Sequence, residues 1–324
     1  MNILLTGGAG YIGSHVALNL LDAGYEVTII DDLSTGKKKL IPSKAEFIHC
    51  NLNELEKIES LLKTKKFLAL MHFAGFVEVE ESVSCPEKYF ENNTANSIKL
   101  FDLCLQNNLS NIIFSSTAAV YASNDKTSIK ENSKKKPITP YAISKYECEK
   151  YFKKDSKIKY VILRYFNVAG VDFKFRSGII SKKKSTHLIT KICESYLSNK
   201  TIEIYGFDYP SHDGTAIRDF IHVVDLAQAH IQAAKYLMSN NKSLVLNCGY
   251  GYGYTVKEVI DNFNKMNKKK INYSFSKRRK GDVFRLIANS SLIKKKLNWK
   301  PKYDSIKKIL KSSLDWESKI NKRI

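Results

Sequence analysis

The first thirteen residues constrain this chain more than any other stretch. An apolar run, Ile3, Leu4 and Leu5, leads into Thr6, Gly7, Gly8, Ala9, Gly10, Tyr11, Ile12 and Gly13. Helical composition follows from His15 to Ala23, and a second apolar run from Tyr25 to Ile30 ends at Asp31. Strand, glycine turn, helix, strand and acidic residue, in that order, are the grammar of a dinucleotide site. Glycine at the turn lets backbone N–H groups approach a pyrophosphate seated on the positive end of the helix. A third glycine lets helix and strand pack closely. Asp31 would accept hydrogen bonds from the adenosine ribose diol and repel a 2′-phosphate, so NAD is expected rather than NADP.

Further along, short apolar runs alternate with helical patterns: Phe47 and Ile48, Phe67 to Phe73, Ile112 to Phe114, and Tyr160 to Leu163. Strands buried on both faces and separated by helices imply an α/β protein with a doubly wound parallel sheet. A Rossmann domain that binds NAD is expected over residues 1–167. A smaller C-terminal α/β domain for the substrate is expected over 168–324, with a stretch around 218–238 packing back on the first. Asp172 to Ser185 reads as a basic, mobile loop. Beyond it come a helix near His187 to Leu197, a strand from Ile202 to Tyr205, a helix from Asp225 to Leu237 and a strand from Leu244 to Asn247. Thr255 and Glu258 have the spacing of a capping box opening a further helix.

The formal charge of +21 is the one outlier of composition. Read alone it points to nucleic acid or an anionic surface. The excess, however, is lysine in scattered triplets (Lys37 to Lys39, Lys134 to Lys136, Lys182 to Lys184, Lys268 to Lys270, Lys294 to Lys296) without an aromatic-rich basic face. A solvated surface with a lysine bias is therefore expected, and no nucleic-acid partner. Arginine stands only at Arg164, Arg176, Arg218, Arg278, Arg279, Arg285 and Arg323, which marks places that need a planar fork. The cysteines have no Cys-x-x-Cys spacing and read as reduced, mostly buried thiols of a cytoplasmic protein. The histidines lack metal-ligand spacing, so no metal is expected. The amino terminus has no basic n-region, and no apolar run reaches the length of a membrane span.

The chemistry is carried by Thr139 to Lys145. Thr139 can cap a helix and Pro140 suits its first turn, which places Tyr141 and Lys145 on one face a turn apart. Using a phenol as a base at neutral pH requires its pKa to fall by roughly three units, about 4 kcal/mol. An ammonium roughly 6 Å away at an effective dielectric near 20 supplies about 3 kcal/mol. Lys145 and the positive nicotinamide of bound NAD would do this together. The strand Ile112 to Phe114 delivers Ser115, Ser116 and Thr117 to its carboxyl end, where open parallel sheets bind ligands. There the Thr117 hydroxyl could bond a sugar hydroxyl while Tyr141 moves its proton. Thr117, Tyr141 and Lys145 on an NAD fold resemble the triad of the short-chain dehydrogenases. The glycine spacing at 7, 10 and 13 resembles the extended branch of that family.

A narrower resemblance, to the UDP-glucose 4-epimerase family, runs over nearly the whole chain. It is carried by Gly7 to Gly13, His72 to Gly75, Glu91 to Asn93, Phe114 to Thr117, Tyr141 with Lys145, Leu163 to Asn167, Asp208 to Val223, and Arg278 to Asp282. The resemblance implies that NAD is held by Gly7, Gly10, Tyr11, Ile12 and Gly13, by Asp31, Asp32, Asn51 and Leu52, and by Phe73, Ala74 and Gly75. Asn93, Ser115, Tyr141, Lys145 and Tyr165 complete that set. It implies a substrate site of Thr117, Asn167, His187, Leu188, Tyr205, Arg218, Arg279, Asp282 and Leu286, with the two arginines on the pyrophosphate and Asp282 on the uridine ribose. The implied activity is an isomerase of galactose metabolism that interconverts UDP-glucose and UDP-galactose by transient oxidation at sugar carbon 4. A homodimer paired through the helices around Asn92 to Gln106 and Tyr141 to Phe152 is also implied; the apolar Leu100, Leu103 and Tyr151 fit such an interface and would equally serve a monomer's core. Departures from the pattern are Asn51 for an Asp, Val77 for a Lys, His187 for an Asn and Phe220 for a Tyr. None of them touches the proton or hydride chemistry. Alternatives are a 4-epimerase of a UDP-N-acetylhexosamine or UDP-hexuronate, a 4,6-dehydratase, and a non-catalytic NAD-binding protein. The dehydratase is disfavoured because Ala118 and Ala119 follow Thr117 where that family has an Asp-Glu pair.

Overall fold

A computed structural model describes residues 1–122, 127–180, 186–279 and 282–321. The strands are β1 (Asn2–Thr6), β2 (Glu26–Asp31), β3 (Glu46–His49), β4 (Ala69–His72), β5 (Asn111–Thr117), β6 (Lys159–Tyr165) and β7 (Asn167–Ala169). They continue as β8 (Ile202–Tyr205), β9 (Ile217–Arg218), β10 (Phe220–His222), β11 (Leu244–Cys248), β12 (Tyr254–Thr255), β13 (Tyr273–Ser276) and β14 (Arg285–Leu286). The helices are α1 (Tyr11–Asp22), α2 (Leu55–Thr64), α3 (Val79–Ser84), α4 (Pro86–Tyr89), α5 (Ser97–Gln106), α6 (Pro140–Phe152), α7 (Leu188–Ser198), α8 (Val223–Asn240), α9 (Val256–Met266), α10 (Ser291–Leu297) and α11 (Ile306–Asn321).

Seven parallel strands form the central sheet in the order β11-β6-β5-β4-β1-β2-β3. Side chains alternate across a strand, so each apolar run feeds two cores at once. Ile3 and Leu5 of β1 join Ile29, Met71 and Leu163 under α1 and α8 on one face. Leu4 joins Ile30, Leu70, Ile112 and Phe114 under α2, α5 and α6 on the other. This is the doubly wound α/β architecture that the strand spacing predicts.

The sheet draws on the far side of residue 167. β11 pairs with β6 from Leu244↔Val161 to Cys248↔Tyr165 and becomes the edge strand. The return expected around 218–238 runs through α8, which packs on α1 and donates a Gln228 Nε2 hydrogen bond to Asn19 Oδ1 at 3.0 Å. The smaller half holds the parallel pair β8 and β13, the ribbon β12-β9-β14, and helices α7, α9 and α11. The capping box at Thr255 is formed, with the Thr255 Oγ1 accepting from Glu258 N and the Glu258 carboxylate accepting from Thr255 N.

Two expectations are corrected. Residues 172–180 of the supposed mobile loop are pinned: Arg176 bonds Asp172 and Asp22, Ser177 bonds Ser14, and Trp316 Nε1 donates to Ile179 O. Asp172 and Ser177 are buried, so this stretch closes the seam between the halves; Ser181 to Ser185 lie outside the described residues. The expected helix from Asn92 is a π-helix over Phe90–Asn96 that runs into α5. Such a wide turn displaces side chains from α-helical register and is common near functional sites.

Candidate active site

The glycine turn is dictated by crowding. Gly7 has φ +71, and a Cβ there would lie 2.5 Å from Ala74 N. A Cβ on Gly13 would lie 2.3 Å from Gly7 O, so any side chain would push helix α1 off the turn. Gly10 caps α1 without a side-chain bond, and no acidic residue occupies the first turn, so the amides of that turn suit an anion. Tyr11 OH ties this turn to the other half by donating to Gly170 O at 2.6 Å. Ile12 is half-buried at the start of the helix.

Asp31 ends β2 beside the turn. Its carboxylate accepts from Ala9 N and Leu33 N, both at 2.9 Å, and burial pushes its pKa up against those two bonds. Asp32 Oδ2 accepts from Asn51 Nδ2 at 2.6 Å, and Asn51 Oδ1 accepts from Asn53 N at 3.1 Å. A carbonyl has two lone pairs, so Asn51 keeps one for an adenine amine. Leu52 turns its side chain into the core and offers a cofactor only its backbone. Phe73, Ala74 and Gly75 leave β4 next to Gly7, with the Phe73 ring against His230. These features fit an extended dinucleotide that crosses the carboxyl ends of β1, β2 and β4.

The three chemistry-bearing residues converge at the carboxyl end of β5. Thr139 Oγ1 accepts from Ala142 N and starts α6, which places Tyr141 and Lys145 facing the sheet. The Thr117 hydroxyl lies beside the Tyr141 phenol and works against the burial that raises its pKa. Lys145 is buried, its Nζ 5.1 Å from the centre of the Phe114 ring. A Cβ at Gly75 would meet both Lys145 Nζ at 3.2 Å and Asn93 Oδ1 at 3.1 Å, so these groups share one corner. Asn93, set by the π-helix, accepts from Phe76 N and donates to Phe76 O. On β6, Tyr165 OH meets His230 Nε2 at 2.6 Å.

Electrostatics correct one expectation here. Burial raises the Tyr141 pKa, opposed by the Thr117 hydroxyl, and burial lowers Lys145 to about 8. The chain's own groups therefore leave the phenol protonated at neutral pH, because desolvation outweighs their help. A fixed positive charge from a bound cofactor has to supply the difference.

A cavity opens on the other side of β7. Its lining includes Asn167, His187, Leu188, Tyr205, Arg218, Arg279 and Asp282, seven of the nine expected substrate residues. Asp282 holds both guanidiniums: Oδ1 accepts from Arg218 Nη2 at 3.0 Å, and Oδ2 accepts from Arg279 Nε at 3.1 Å and Nη2 at 3.0 Å. Two arginines and one carboxylate leave a net positive charge of one, suited to a pyrophosphate. Thr117 and Leu286 lie outside this lining. Leu286 pairs in register with Arg218 and packs on the cluster around Ala118 and Val120, immediately after Thr117. Leu286 therefore stands between the cavity and the Tyr141 corner.

Sequence reasoning passed over several groups. Lys191 and Glu203 line the cavity, but a lysine in a lysine-rich chain carries no signal. Ser313 arrives from α11, which only tertiary folding brings close. Tyr209, inside the motif Asp208 to Pro210, lies 4.0 Å under Arg278 with its hydroxyl buried and unpartnered. Arg164 was singled out by its scarcity, yet its fork faces the buried Glu149 rather than a ligand.

Comparison with known proteins agrees with this geometry. The model of the NAD dependent epimerase/dehydratase family matches residues 3–249. The chain is 40% identical to a UDP-glucose 4-epimerase of Azospirillum brasilense, over 99% of this chain and 93% of that protein. The structure superposes with TM-score 0.96 on a UDP-glucose-4-epimerase from Stenotrophomonas maltophila with bound NAD and formylated UDP-arabinopyranose, at 29% identity over 100% of both chains. It also matches the UDP-Glc/GlcNAc 4-epimerase of Campylobacter jejuni, with TM-score 0.85 and 39% identity over 98% of this chain and 99% of that one. With a matching family model over three quarters of its length and full-length relatives, the chain belongs to the NAD dependent epimerase/dehydratase family and groups within it with the UDP-glucose 4-epimerases.

Proposed function

We propose that this chain interconverts UDP-glucose and UDP-galactose by a reversible oxidation at sugar carbon 4, with NAD kept in the glycine-turn site. The observation that carries the reading is the convergence of Thr117, Tyr141 and buried Lys145 at the carboxyl end of β5, next to a cavity whose two arginines share Asp282. Bound NAD supplies the hydride acceptor and a positive charge near the phenol. Arg218 and Arg279 clamp the pyrophosphate, Asp282 turns to the uridine ribose, and Asn167, His187, Leu188 and Tyr205 wall the nucleotide. Thr117 orients the hydroxyl at carbon 4, and Tyr141 takes its proton and later returns it. Lys145 holds the phenol's charge. Firm contacts on the nucleotide and few on the sugar leave the 4-keto sugar free to present either face, which is what inversion requires.

The test is Tyr141→Phe. Turnover should drop by roughly two to four orders of magnitude while UDP binding and co-purified NAD persist. Near-normal turnover would sink the assignment.

A homodimer belongs to this reading. Leu100 and Leu103 do not support it, because both are buried in the chain's own core. Support comes instead from exposed Val79, Val83 and Phe90, on elements that pack beside α6. A reducing, cytoplasmic setting is supported by six unpaired thiols, five of them buried. No helix among the described residues is long and apolar enough to cross a membrane.

A further inference from the structure

We propose that Ser116, Glu149 and Arg164 are positioning residues for Tyr141, fixing α6 against β5 and β6 through a buried polar chain. The inference rests on the reading above only in taking Tyr141 as the acid and base. Glu149 lies on α6 two turns beyond Tyr141 and one beyond Lys145, fully buried, and Arg164 on β6 is 1% exposed. Glu149 Oε1 accepts from Ser116 Oγ at 2.6 Å and from Arg164 Nε at 2.9 Å, while Oε2 accepts from Arg164 Nη2. Arg164 Nη1 donates to Tyr121 OH at 2.6 Å and to Glu131 O at 3.0 Å. Tyr121 OH donates to Asn247 Oδ1 at 2.7 Å, and Asn247 Nδ2 donates to Ile129 O at 2.8 Å. Ile129 N donates to Ile287 O at 2.8 Å, one residue past Leu286. One chain of bonds thus runs from the helix that carries Tyr141 to the strand beside the cavity.

Its arrangement matches a positioning task. Adjacent residues of β5 both meet α6: Thr117 lies beside Tyr141, and Ser116 donates to Glu149. One contact would let the helix rotate or slide; two fix both motions. A buried ion pair adds little net stability over an apolar packing of the same volume, but it accepts only a narrow geometry. Tyr165 on β6 faces the phenol, His72 on β4 faces Lys145, and Lys145 follows Tyr141 by one turn of α6. Around the pair stand Tyr121, Glu131 and Lys135. Tyr141 and Lys145 ride on the same helix, so a loosened α6 would carry both away from Thr117 on β5 and from the positive charge of bound NAD. Coulomb attraction falls with distance, so the phenol would then be harder to ionise.

The test uses the NAD-loaded protein and three variants. Ser116→Ala removes one rung and keeps the ion pair, Glu149→Asp shortens the tether, and Ser116→Thr restores the hydroxyl. Tyr141 is titrated by tyrosinate absorbance, with Tyr141→Phe as the blank. The expected result is a Tyr141 titration raised by roughly one pH unit in the first two variants and restored in Ser116→Thr. Turnover at neutral pH should fall about tenfold with KM unchanged. A lowered melting temperature with the Tyr141 titration unmoved would make the network merely structural and overturn the inference. The titration needs no sugar, so a shift seen in a protein that turns over no UDP-hexose supports positioning and counts only against the epimerase reading.

Discussion

In the proposed reading, Leu286 sets how much room the sugar has. It pairs with Arg218 and abuts the segment after Thr117, so its volume is set between the pyrophosphate clamp and the Tyr141 corner. Leucine is smaller than tyrosine and larger than serine, so plain hexoses are expected as main substrates with N-acetylhexosamines turned over poorly. A pocket that merely lacks room discriminates by a few kcal/mol, so the ratio of specificity constants should be around tenfold to a few hundredfold. Leu286→Ser should narrow that ratio and Leu286→Tyr should widen it. Relative rates unchanged in both would remove the residue from the sugar pocket. Arginine shows how far single residues were legible. Its scarcity pointed to planar forks, and forks are what Arg164, Arg176, Arg218, Arg278 and Arg279 form, but two of them face buried protein carboxylates. Residue type announces the fork; only packing says what fills it.

At the scale of elements, periodicity located α6 and α7 within a residue or two, because caps and apolar spacing are local properties. The π-helix over Phe90–Asn96 carries no such local mark, since it follows from seating Asn93 against Phe76. Leu100 and Leu103 went to the chain's own core, the second of the two roles open to them, because an apolar stripe says that a helix is covered, not by what. The exposed face beside α6 leads to a replacement. Val83→Glu together with Phe90→Glu should turn a dimer into a monomer in sedimentation at micromolar concentration while leaving the fold intact. A wild-type protein that sediments as a monomer, or a double variant that stays dimeric, would count against that face.

For the whole molecule the seam between the halves sets the response to acid. His15, His222 and His230 are fully buried and neutral, with burial lowering them from the usual 6.5 to about 4, about 3 and about 4. Their folded pKa lies below the unfolded one, so the unfolded chain binds the extra protons and stability is lost as pH falls below 6.5. Between pH 6.5 and pH 5 each should cost about 2 kcal/mol. Asp219 and Glu317, raised by burial to about 6 and about 7, take up protons in the folded chain over the same window and offset part of this cost, so urea midpoints should drop moderately; a rise would show that the histidines are not held neutral. The first sheet with its glycine turn, the acidic residue at the end of β2 and the Tyr141 helix were legible from residue order, because turns, caps and alternation are written in neighbouring residues. Tertiary packing made β11 complete the sheet, tied residues 172–180 across the seam to Asp22, Ser14 and Trp316, and brought Asp282 to Arg218. Those contacts join segments tens to hundreds of residues apart. No local propensity encodes them; they are selected by the burial and charge pairing that the closed chain offers.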